Sequence, residues 1–332
     1  MAAIKRKTIL NKDSKIYIAG HRGLVGSAII RSLQGSGYTN LITRTHAELD
    51  LCEQSAVDNF FNKEKPEYVF LAAAKVGGIG ANSTYPADFI YLNTMIGFNV
   101  IHAAYKYGIK KLLNLGSSCI YPKMAPQPMK EEYLLSDTLE PTNEAYALAK
   151  INVIKLCTFF NQQYGTNFLS VMPTNLYGPG DNYDLNSSHV LPALIRKFHD
   201  AKVSGIDSVT LWGDGSAYRE FLYSDDLANA VIMLIQNKNA KDLSNPAGDF
   251  VNIGYGKDIT IKELAEKIKN TVYDSSDKNC VINWDVSKPN GTPKKLLDNS
   301  RIESLGFIPK VDLDKGIKLS YNDFLGSLNK NK

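Results

Sequence analysis

Short apolar runs alternate along the first half of the chain with longer segments in which apolar residues recur every three or four positions. The run at 15–19 has the β-branched and aromatic character of a strand, and helical spacing follows between Leu24 and Leu33. The same alternation predicts strands at 41–43, 68–72, 111–116 and 168–172, and helices at 55–63, 85–107 and 146–164. Repeated strand–helix–strand units form parallel sheets, so we expect an α/β fold with a doubly wound parallel sheet covered on both faces.

This alternation ends after Pro173, where a loop-rich stretch begins. The elements predicted beyond it are a helix at 189–201, a strand near 209–211 and a helix at 260–269. Thr260 and Glu263 have the spacing of a capping box at the start of the last helix. We expect a smaller, mixed α/β domain here, and the boundaries that we predict are 1–176 plus about 208–254 for the larger domain, and about 177–207 plus 255–332 for the smaller one.

Composition excludes several classes of protein. The 332 residues include 38 Lys and Arg against 34 Asp and Glu, a formal net charge of +4, and 44% are hydrophobic. Long intrinsic disorder requires low hydrophobicity and high net charge, and a dedicated nucleic-acid-binding protein requires a larger positive excess. No apolar run reaches the roughly 18–20 residues of a membrane span, and no apolar stretch follows the basic N-terminal residues as in a secretory signal.

The four cysteines are scattered along the chain, at Cys52, Cys119, Cys157 and Cys280. They form no CxxC pair and have no histidine at the spacing of metal ligands, so we expect no metal site. Free thiols suit a reducing compartment, which predicts a cytoplasmic protein.

A glycine-rich turn joins the first predicted strand to the first predicted helix. Its residues are Gly20, His21, Arg22, Gly23, Leu24, Val25 and Gly26. Glycines in this position let the backbone approach a pyrophosphate, and the helix N-terminus supplies N–H groups and a positive dipole. The spacing is a variant of the G-x-G-x-x-G fingerprint, and its place between a strand and a helix predicts a Rossmann-type dinucleotide-binding domain.

The charges near the second strand indicate which dinucleotide binds. An NAD site has a carboxylate about 20 residues after the turn, whereas this chain has Arg44 and His46 there and no carboxylate before Glu48. Arg22 and Arg44 could both bind a 2′-phosphate, so we favour NADP(H). The alternative is that Arg44 is only a solvated loop residue.

Three further residues suggest a keto reductase. Ser117 follows the fourth predicted strand, and Tyr146 and Lys150 are spaced to share one helix face. A tyrosine side chain has a pKa of about 10 and is a poor acid–base group at neutral pH, and a neighbouring ammonium is expected to lower that pKa. The serine hydroxyl can then hold a carbonyl that is reduced by hydride from a nicotinamide.

These motifs resemble those of the extended short-chain dehydrogenases/reductases and, more narrowly, of the GDP-L-fucose synthase family. The segments that carry the narrower resemblance are AGHRGLVGSAI, LAAAKVGGIGAN, YPADFIY, LGSSCIYPK, LEPTNEAYALAK, VMPTNLYGP, SSHVLPAL and SKPNGTPKKLLD. The resemblance extends from about Lys15 to about Tyr321. It implies epimerisation and NADPH-dependent reduction of GDP-4-keto-6-deoxymannose by a homodimer that packs two long helices from each subunit.

The resemblance also implies roles for single residues. Ser117 holds the keto oxygen, Tyr146 protonates it, Lys150 tunes Tyr146 and binds the nicotinamide ribose, and Cys119 and His189 form the acid–base pair of the epimerase. Further cofactor contacts are implied for Leu115, Gly116, Ser118, Pro173, Thr174, Asn175, Leu176 and His189. Implied substrate contacts are Lys197, Trp212, Arg219 and Asn290; Trp212 could instead be a core residue, and Arg219 could pair with Glu220.

Three positions depart from the family pattern. His46 and Lys197 stand where the family usually has arginine, and Asn290 stands where it has aspartate. These changes leave room for NADH and for a C4 reductase of a related GDP-4-keto-6-deoxy sugar, such as a heptose, with little or no epimerase activity. A dehydratase fits less well because Cys119 and Ile120 replace its Asp-Glu pair, and a non-catalytic NADP-binding sensor would tend to lose the serine, tyrosine and lysine.

Overall fold

The computed structural model describes residues 10–273, 280–288 and 290–330. The strands are β1 (Ile16–Ala19), β2 (Leu41–Ile42), β3 (Tyr68–Leu71), β4 (Lys111–Leu115), β5 (Phe168–Pro173), β6 (Asn175–Tyr177), β7 (Ser208–Trp212), β8 (Tyr218–Tyr223), β9 (Ser244–Asn245), β10 (Gly248–Ile253), β11 (Asp258–Thr260), β12 (Val281–Asp285) and β13 (Lys294–Lys295). The α-helices are α1 (Leu24–Gly35), α2 (Gln54–Glu64), α3 (Ile79–Thr84), α4 (Pro86–Lys106), α5 (Glu144–Tyr164), α6 (Val190–Ser204), α7 (Ser224–Asn237), α8 (Ile261–Val272), α9 (Ser300–Ser304) and α10 (Leu313–Lys330).

The larger part of the molecule is built on a seven-stranded sheet with the order β2-β1-β3-β4-β5-β10-β9. Every pairing in it is parallel except that of β9 with β10. Ile16 and Ile18 of β1 pack on the face covered by α1 and α7, while Tyr17 and Ala19 pack on the face covered by α2, α4 and α5. Burial of both faces confirms the doubly wound α/β fold.

The rest of the molecule has two smaller sheets. Strand β8 pairs with β11, β13 and β6, and β7 pairs with β12. Helices α6, α8 and α10 pack on these sheets around a second core that includes Phe198, Leu264 and Phe324. The predicted domain boundaries remain a prediction. Because β7 and β8 pair with strands of the smaller sheets, the chain re-enters the larger domain near Ser224 rather than near residue 208.

The helix predicted at 85–107 is confirmed as α4 to within one residue at each end, and the short helix α3 that precedes it was not predicted. Pro86 has no N–H and disfavours helical geometry in the preceding residue, so Tyr85 takes φ −123° and ψ 48°, and α4 begins at Pro86. The predicted capping box is confirmed, since Thr260 and Glu263 each accept the other's backbone N–H. Across the described ranges, no helix combines the length and apolarity needed to cross a membrane.

Candidate active site

The glycine turn is shaped by close backbone contacts. Gly20 has φ +81°, and the Gly23 N–H donates to the Gly20 carbonyl at 3.0 Å. A Cβ atom on Gly26 would lie 2.1 Å from the Gly20 carbonyl oxygen, so no larger residue fits this turn as it stands. No side chain caps the start of α1. Its first N–H groups are therefore available to an anion such as a pyrophosphate.

A cleft of about 960 Å³ opens beside this turn, outside the carboxyl ends of β1, β3 and β4. The winding of the sheet reverses between β1 and β3, which is where doubly wound sheets bind ligands. The predicted site residues that line the cleft are Gly20 to Gly26, Arg44, His46, Leu115 to Ser118, Tyr146, Lys150, Pro173 to Leu176 and His189. All of the predicted cofactor contacts therefore lie around one cleft.

Arg22 and Arg44 lie at the same end of this cleft. Both lower the pKa of the exposed Glu48 carboxyl, although the hydrogen bonds from Thr45 to Glu48 lower it most. Arg44 donates a hydrogen bond to the Glu64 carboxylate at 2.7 Å, and this ion pair fixes the position of the guanidinium. The two guanidiniums form a basic end to the cleft, as a 2′-phosphate requires.

The serine, tyrosine and lysine lie together where β4 ends. The buried Lys150 ammonium donates to the Leu115 carbonyl at 2.9 Å and lies 5.7 Å from the centre of the Tyr146 ring. Burial lowers the pKa of Lys150 to about 8. Burial also raises the pKa of Tyr146, and contact with the Ser117 hydroxyl offsets this only in part. The expected lowering of the Tyr146 pKa is therefore wrong for this arrangement, and a neutral phenol is left as a proton donor.

Cys119 and His189 reach this place from distant segments. Cys119 lies in a 3₁₀ turn, beneath the cleft surface and 8% exposed, and its backbone N–H donates to the Ser117 hydroxyl at 3.3 Å. His189 is the N-cap residue of α6 and faces the cleft. Burial raises the pKa of the Cys119 thiol, and enclosure by the cleft walls lowers that of His189. A protonated thiol and a neutral imidazole supply one proton donor and one acceptor.

The four predicted substrate contacts do not line this cleft but form a second group beside it. Lys197 donates to the Thr210 carbonyl of β7 at 3.0 Å, and the Asn290 side chain accepts from the Asp214 N–H at 2.9 Å. Arg219 donates to the Thr292 carbonyl at 2.6 Å. Trp212 is 60% exposed, which excludes its assignment to the core.

Glu220 is not the ion-pair partner of Arg219 that one alternative assumed. Its carboxylate is fully buried and accepts from the Gly256 N–H at 2.7 Å and from the Leu297 N–H at 3.1 Å. Burial raises its pKa, and these hydrogen bonds oppose the rise. The carboxylate thus organises the loops behind Arg219 rather than neutralising its charge.

Sequence reasoning assigned no role to Lys295. This residue pairs in register with Arg219 across β13 and β8. Burial raises the pKa of the Cys119 thiol, and the Lys295 ammonium is one of the groups that oppose the rise. The segment SKPNGTPKKLLD contains it, so the signal was present, but two adjacent lysines look alike in a sequence. Only the strand pairing distinguishes Lys295 from Lys294.

Within the described ranges, His, Cys, Asp and Glu residues form no group of three or more that could hold a metal ion. The same ranges contain four cysteines, all of them free thiols.

Comparison with known proteins identifies the family. Residues 16–254 match the model of the NAD dependent epimerase/dehydratase family. The chain is 55% identical to GDP-L-fucose synthase 1 of Arabidopsis thaliana over 95% of its length and 94% of the relative. It is 52% identical to GDP-L-fucose synthase of Escherichia coli (strain K12), with 94% and 96% coverage. The chain belongs to the NAD dependent epimerase/dehydratase family and, within it, to the GDP-L-fucose synthase family.

A solved structure extends this comparison. MlghC, a GDP-mannoheptose C4 reductase from Campylobacter jejuni with NADP bound, is 42% identical and superposes with a TM-score of 0.86. The match covers 95% of this chain and 99% of that one. Family membership agrees with the resemblance of the sequence motifs, and the reductase shows that this fold also occurs with a heptose substrate.

Proposed function

We propose that this protein converts GDP-4-keto-6-deoxy-D-mannose to GDP-L-fucose, by epimerisation at C3 and C5 and NADPH-dependent reduction at C4. The observation that carries this proposal is one cleft in which Ser117, Tyr146 and Lys150 lie beside His189 and above Cys119. A simple keto reductase has no use for the last two residues, whereas an epimerase needs a proton donor and a proton acceptor. Relatives at 52–55% identity that carry the name GDP-L-fucose synthase support the same reading.

The chain's own residues fit NADPH. The glycine turn and the uncapped start of α1 suit its pyrophosphate, and Arg22 and Arg44 suit its 2′-phosphate. When bound, NADPH supplies the hydride that reduces C4.

In the reduction step, the serine hydroxyl of Ser117 donates a hydrogen bond to the C4 keto oxygen and holds it in place. Tyr146, which burial keeps neutral, gives its proton to that oxygen as the alkoxide forms. Lys150 lies next to the tyrosine ring and stabilises the phenolate that remains. The tyrosine then regains a proton from solvent.

In the epimerisation step, the C4 carbonyl acidifies the protons on C3 and C5. One member of the Cys119 and His189 pair removes a proton to give an enolate, and the other returns a proton to the opposite face. In either direction, Cys119 exists as a thiolate at one stage. The pair resets by exchange with solvent, so deuterium from heavy water would enter both carbons.

The second candidate is a C4 reductase of a GDP-4-keto-6-deoxyheptose with little epimerase activity. The similarity to the mannoheptose reductase favours it, together with Lys197 and Asn290, which replace the arginine and aspartate usual in the family. These two residues belong to the group beside the cleft, where the sugar nucleotide would bind.

One experiment tests both candidates. The purified protein is incubated with NADPH and GDP-4-keto-6-deoxymannose in deuterated water, and product deuterium is located by NMR. We expect NADPH oxidation with deuterium at C3 and C5. Oxidation without deuterium would leave a plain reductase, and absence of oxidation would point to a different sugar, for which the heptose analogue is the next substrate.

We also propose that the protein is a cytoplasmic homodimer. Tyr91, Phe98 and Tyr105 follow one another at seven-residue spacing along α4 and are 63%, 38% and 37% exposed, and Phe159 of the adjacent α5 is 57% exposed. An apolar strip of this length on two packed helices suits a second copy of the same surface. Sedimentation analysis should give a dimer, and Tyr91→Glu combined with Phe98→Glu should give a monomer.

A further inference from the structure

Lys294 and Lys295 are neighbours in β13 but face opposite ways. Lys294 pairs with Tyr218 of β8, lies 5.4 Å from the centre of its ring, and reaches the Asp258 carboxylate at 3.0 Å. Lys295 pairs with Arg219, on the other face of β8. Since successive residues of a strand alternate between faces, only the second lysine is directed toward the substrate group.

The segment that carries Lys295 is fixed against the loop that follows Cys119. The Leu296 N–H donates to the Gln127 side chain at 2.8 Å, and the Met129 N–H donates to the Leu296 carbonyl at 2.8 Å. On its other side, the Leu297 N–H donates to the buried Glu220 carboxylate at 3.1 Å. Hydrogen bonds from both sides leave this segment little freedom to move away from the catalytic loop.

Burial raises the pKa of the Cys119 thiol, and the Ser117 hydroxyl and the ammonium groups of Lys295 and Lys150 oppose this rise. The Lys150 ammonium donates a hydrogen bond to the Leu115 carbonyl and lies over the Tyr146 ring. The other polar groups facing the thiol are Tyr146 and Ser117.

Burial lowers the pKa of Lys295, the negative charge of a Cys119 thiolate opposes this, the Arg219 guanidinium lowers the pKa further, and the Glu140 carboxylate raises it. Arg219 is turned toward the Thr292 carbonyl, and Glu140 forms an ion pair with Lys123 at 3.1 Å. Lys295 is half-buried, and Leu297, two residues further on, packs in the same buried cluster as Ile120, which directly follows Cys119.

We propose that Lys295 is a positioning residue for the acid–base chemistry of Cys119, whose ammonium stabilises the thiolate that forms during epimerisation. This rests on the proposed function. An opposite charge favours the ionised form of a nearby group, whichever direction the proton moves. The role therefore does not depend on whether Cys119 removes or returns the proton.

The test uses the full chain with Lys295→Met, Lys295→Arg and, as a matched control, Lys294→Met. Each variant is loaded with NADP⁺ and saturating GDP-4-keto-6-deoxymannose in deuterated water, and deuterium entry at C3 and C5 is followed between pH 5.5 and 9.5. In Lys295→Met, we expect the limb of the profile that Cys119 controls to move by about one unit to higher pH, because loss of a cation raises a thiol pKa. Lys295→Arg, which keeps the charge, and Lys294→Met should follow the wild-type profile.

Two results would overturn the proposal. The first is a raised KM in Lys295→Met with an unmoved pH profile, which would make Lys295 a contact of the substrate diphosphate. The second is an equal shift in Lys294→Met, which would mean a general surface-charge effect. A wild-type protein that exchanges no deuterium would instead refute the proposed function, so the two failures are distinguishable. Should Lys295→Met fail to fold, Lys295→Gln takes its place, with the same expectations.

Discussion

The cofactor end of the cleft and the substrate group beside it are built in different ways. Seven consecutive residues from Gly20 to Gly26 form the first, and we expect its backbone groups and the start of α1 to bind the cofactor. The second brings together Lys197, Trp212, Arg219 and Asn290 from helix α6, two strands and a loop. A site built from backbone groups has a short contiguous sequence motif. A site built from side chains uses residues that are scattered along the chain, and only strand pairing brings them together.

The difference teaches where substitutions are tolerated. In the glycine turn, the contacts between backbone atoms leave no space for a Cβ atom at Gly26. In the substrate group, Lys197 and Asn290 replace the residues usual in the family while keeping hydrogen bonds to the backbone, at the Thr210 carbonyl and the Asp214 N–H. We therefore expect specificity to vary in the substrate group and the cofactor to stay the same.

The largest effect is expected between the two regions, at the catalytic residues. Tyr146→Phe removes the proton donor of the reduction and should slow NADPH oxidation about 10²- to 10⁴-fold. Deuterium entry at C3 and C5 should change by no more than a few-fold. Cys119→Ser should show the reverse pattern, with deuterium entry lost first.

Stopped-flow absorbance of NADPH and NMR of the product measure the two steps separately. Equal losses of both activities in Tyr146→Phe would count against separate roles. NADPH affinity, which should stay unchanged in both variants, serves as the control.

The next largest effect tests the rigidity of the glycine turn. Gly26→Ala places a Cβ 2.1 Å from the Gly20 carbonyl oxygen, so the turn must shift. We expect a loss of about 1–3 kcal/mol in the free energy of unfolding, typical of overpacking, and a much weaker affinity for NADPH. Gly35→Ala in the same helix meets no atom within 4 Å and should be neutral or slightly stabilising. Equal changes in stability and NADPH affinity in the two variants would contradict the idea that the glycine turn is more rigid than the rest of α1.

A smaller effect tests the charge at the cofactor end. Arg44→Ala should raise the Kd for NADPH about ten- to 100-fold, because hydrogen bonds to a charged group contribute about 1.5–3 kcal/mol. The Kd for NADH should change little, because NADH has no 2′-phosphate. Arg31→Ala, which breaks a surface pair with Asp225 at 2.6 Å outside the cleft, is the matched control. Calorimetric titration with NADPH and NADH measures both Kd values. An equal loss of affinity for the two cofactors would assign Arg44 a structural role only.

The smallest effect is expected in the substrate group. Asn290→Asp restores the residue usual in the family and keeps an oxygen acceptor for the Asp214 N–H. The free energy of unfolding should change by less than about 0.5 kcal/mol, as for most surface substitutions. The KM values for the hexose and heptose substrates should shift relative to one another by a few-fold at most. A large loss of stability would show that this group is as intolerant as the glycine turn.

Much of the fold and part of the site could be predicted from the chain alone. The alternation of apolar runs predicts the doubly wound sheet because each strand and helix buries its own face. Helix α3 was missed because its six residues, IGANST, carry no apolar periodicity, whereas Pro86 correctly signals the start of α4. The direction of the Tyr146 pKa shift was also missed, since the rise follows from burial and not from the spacing to Lys150.

The sequence by itself determined the family, and it predicted the cofactor end of the cleft and the catalytic residue types, because these depend on short contiguous motifs. The tertiary structure decided which charged groups meet. Pairing of β13 with β8 places Lys295 beside Arg219 and directs Lys294 away to Asp258, and burial directs Glu220 to backbone N–H groups instead of to Arg219. Alternation along a strand and the desolvation of charge set these choices, and both depend on neighbours that are distant in the chain.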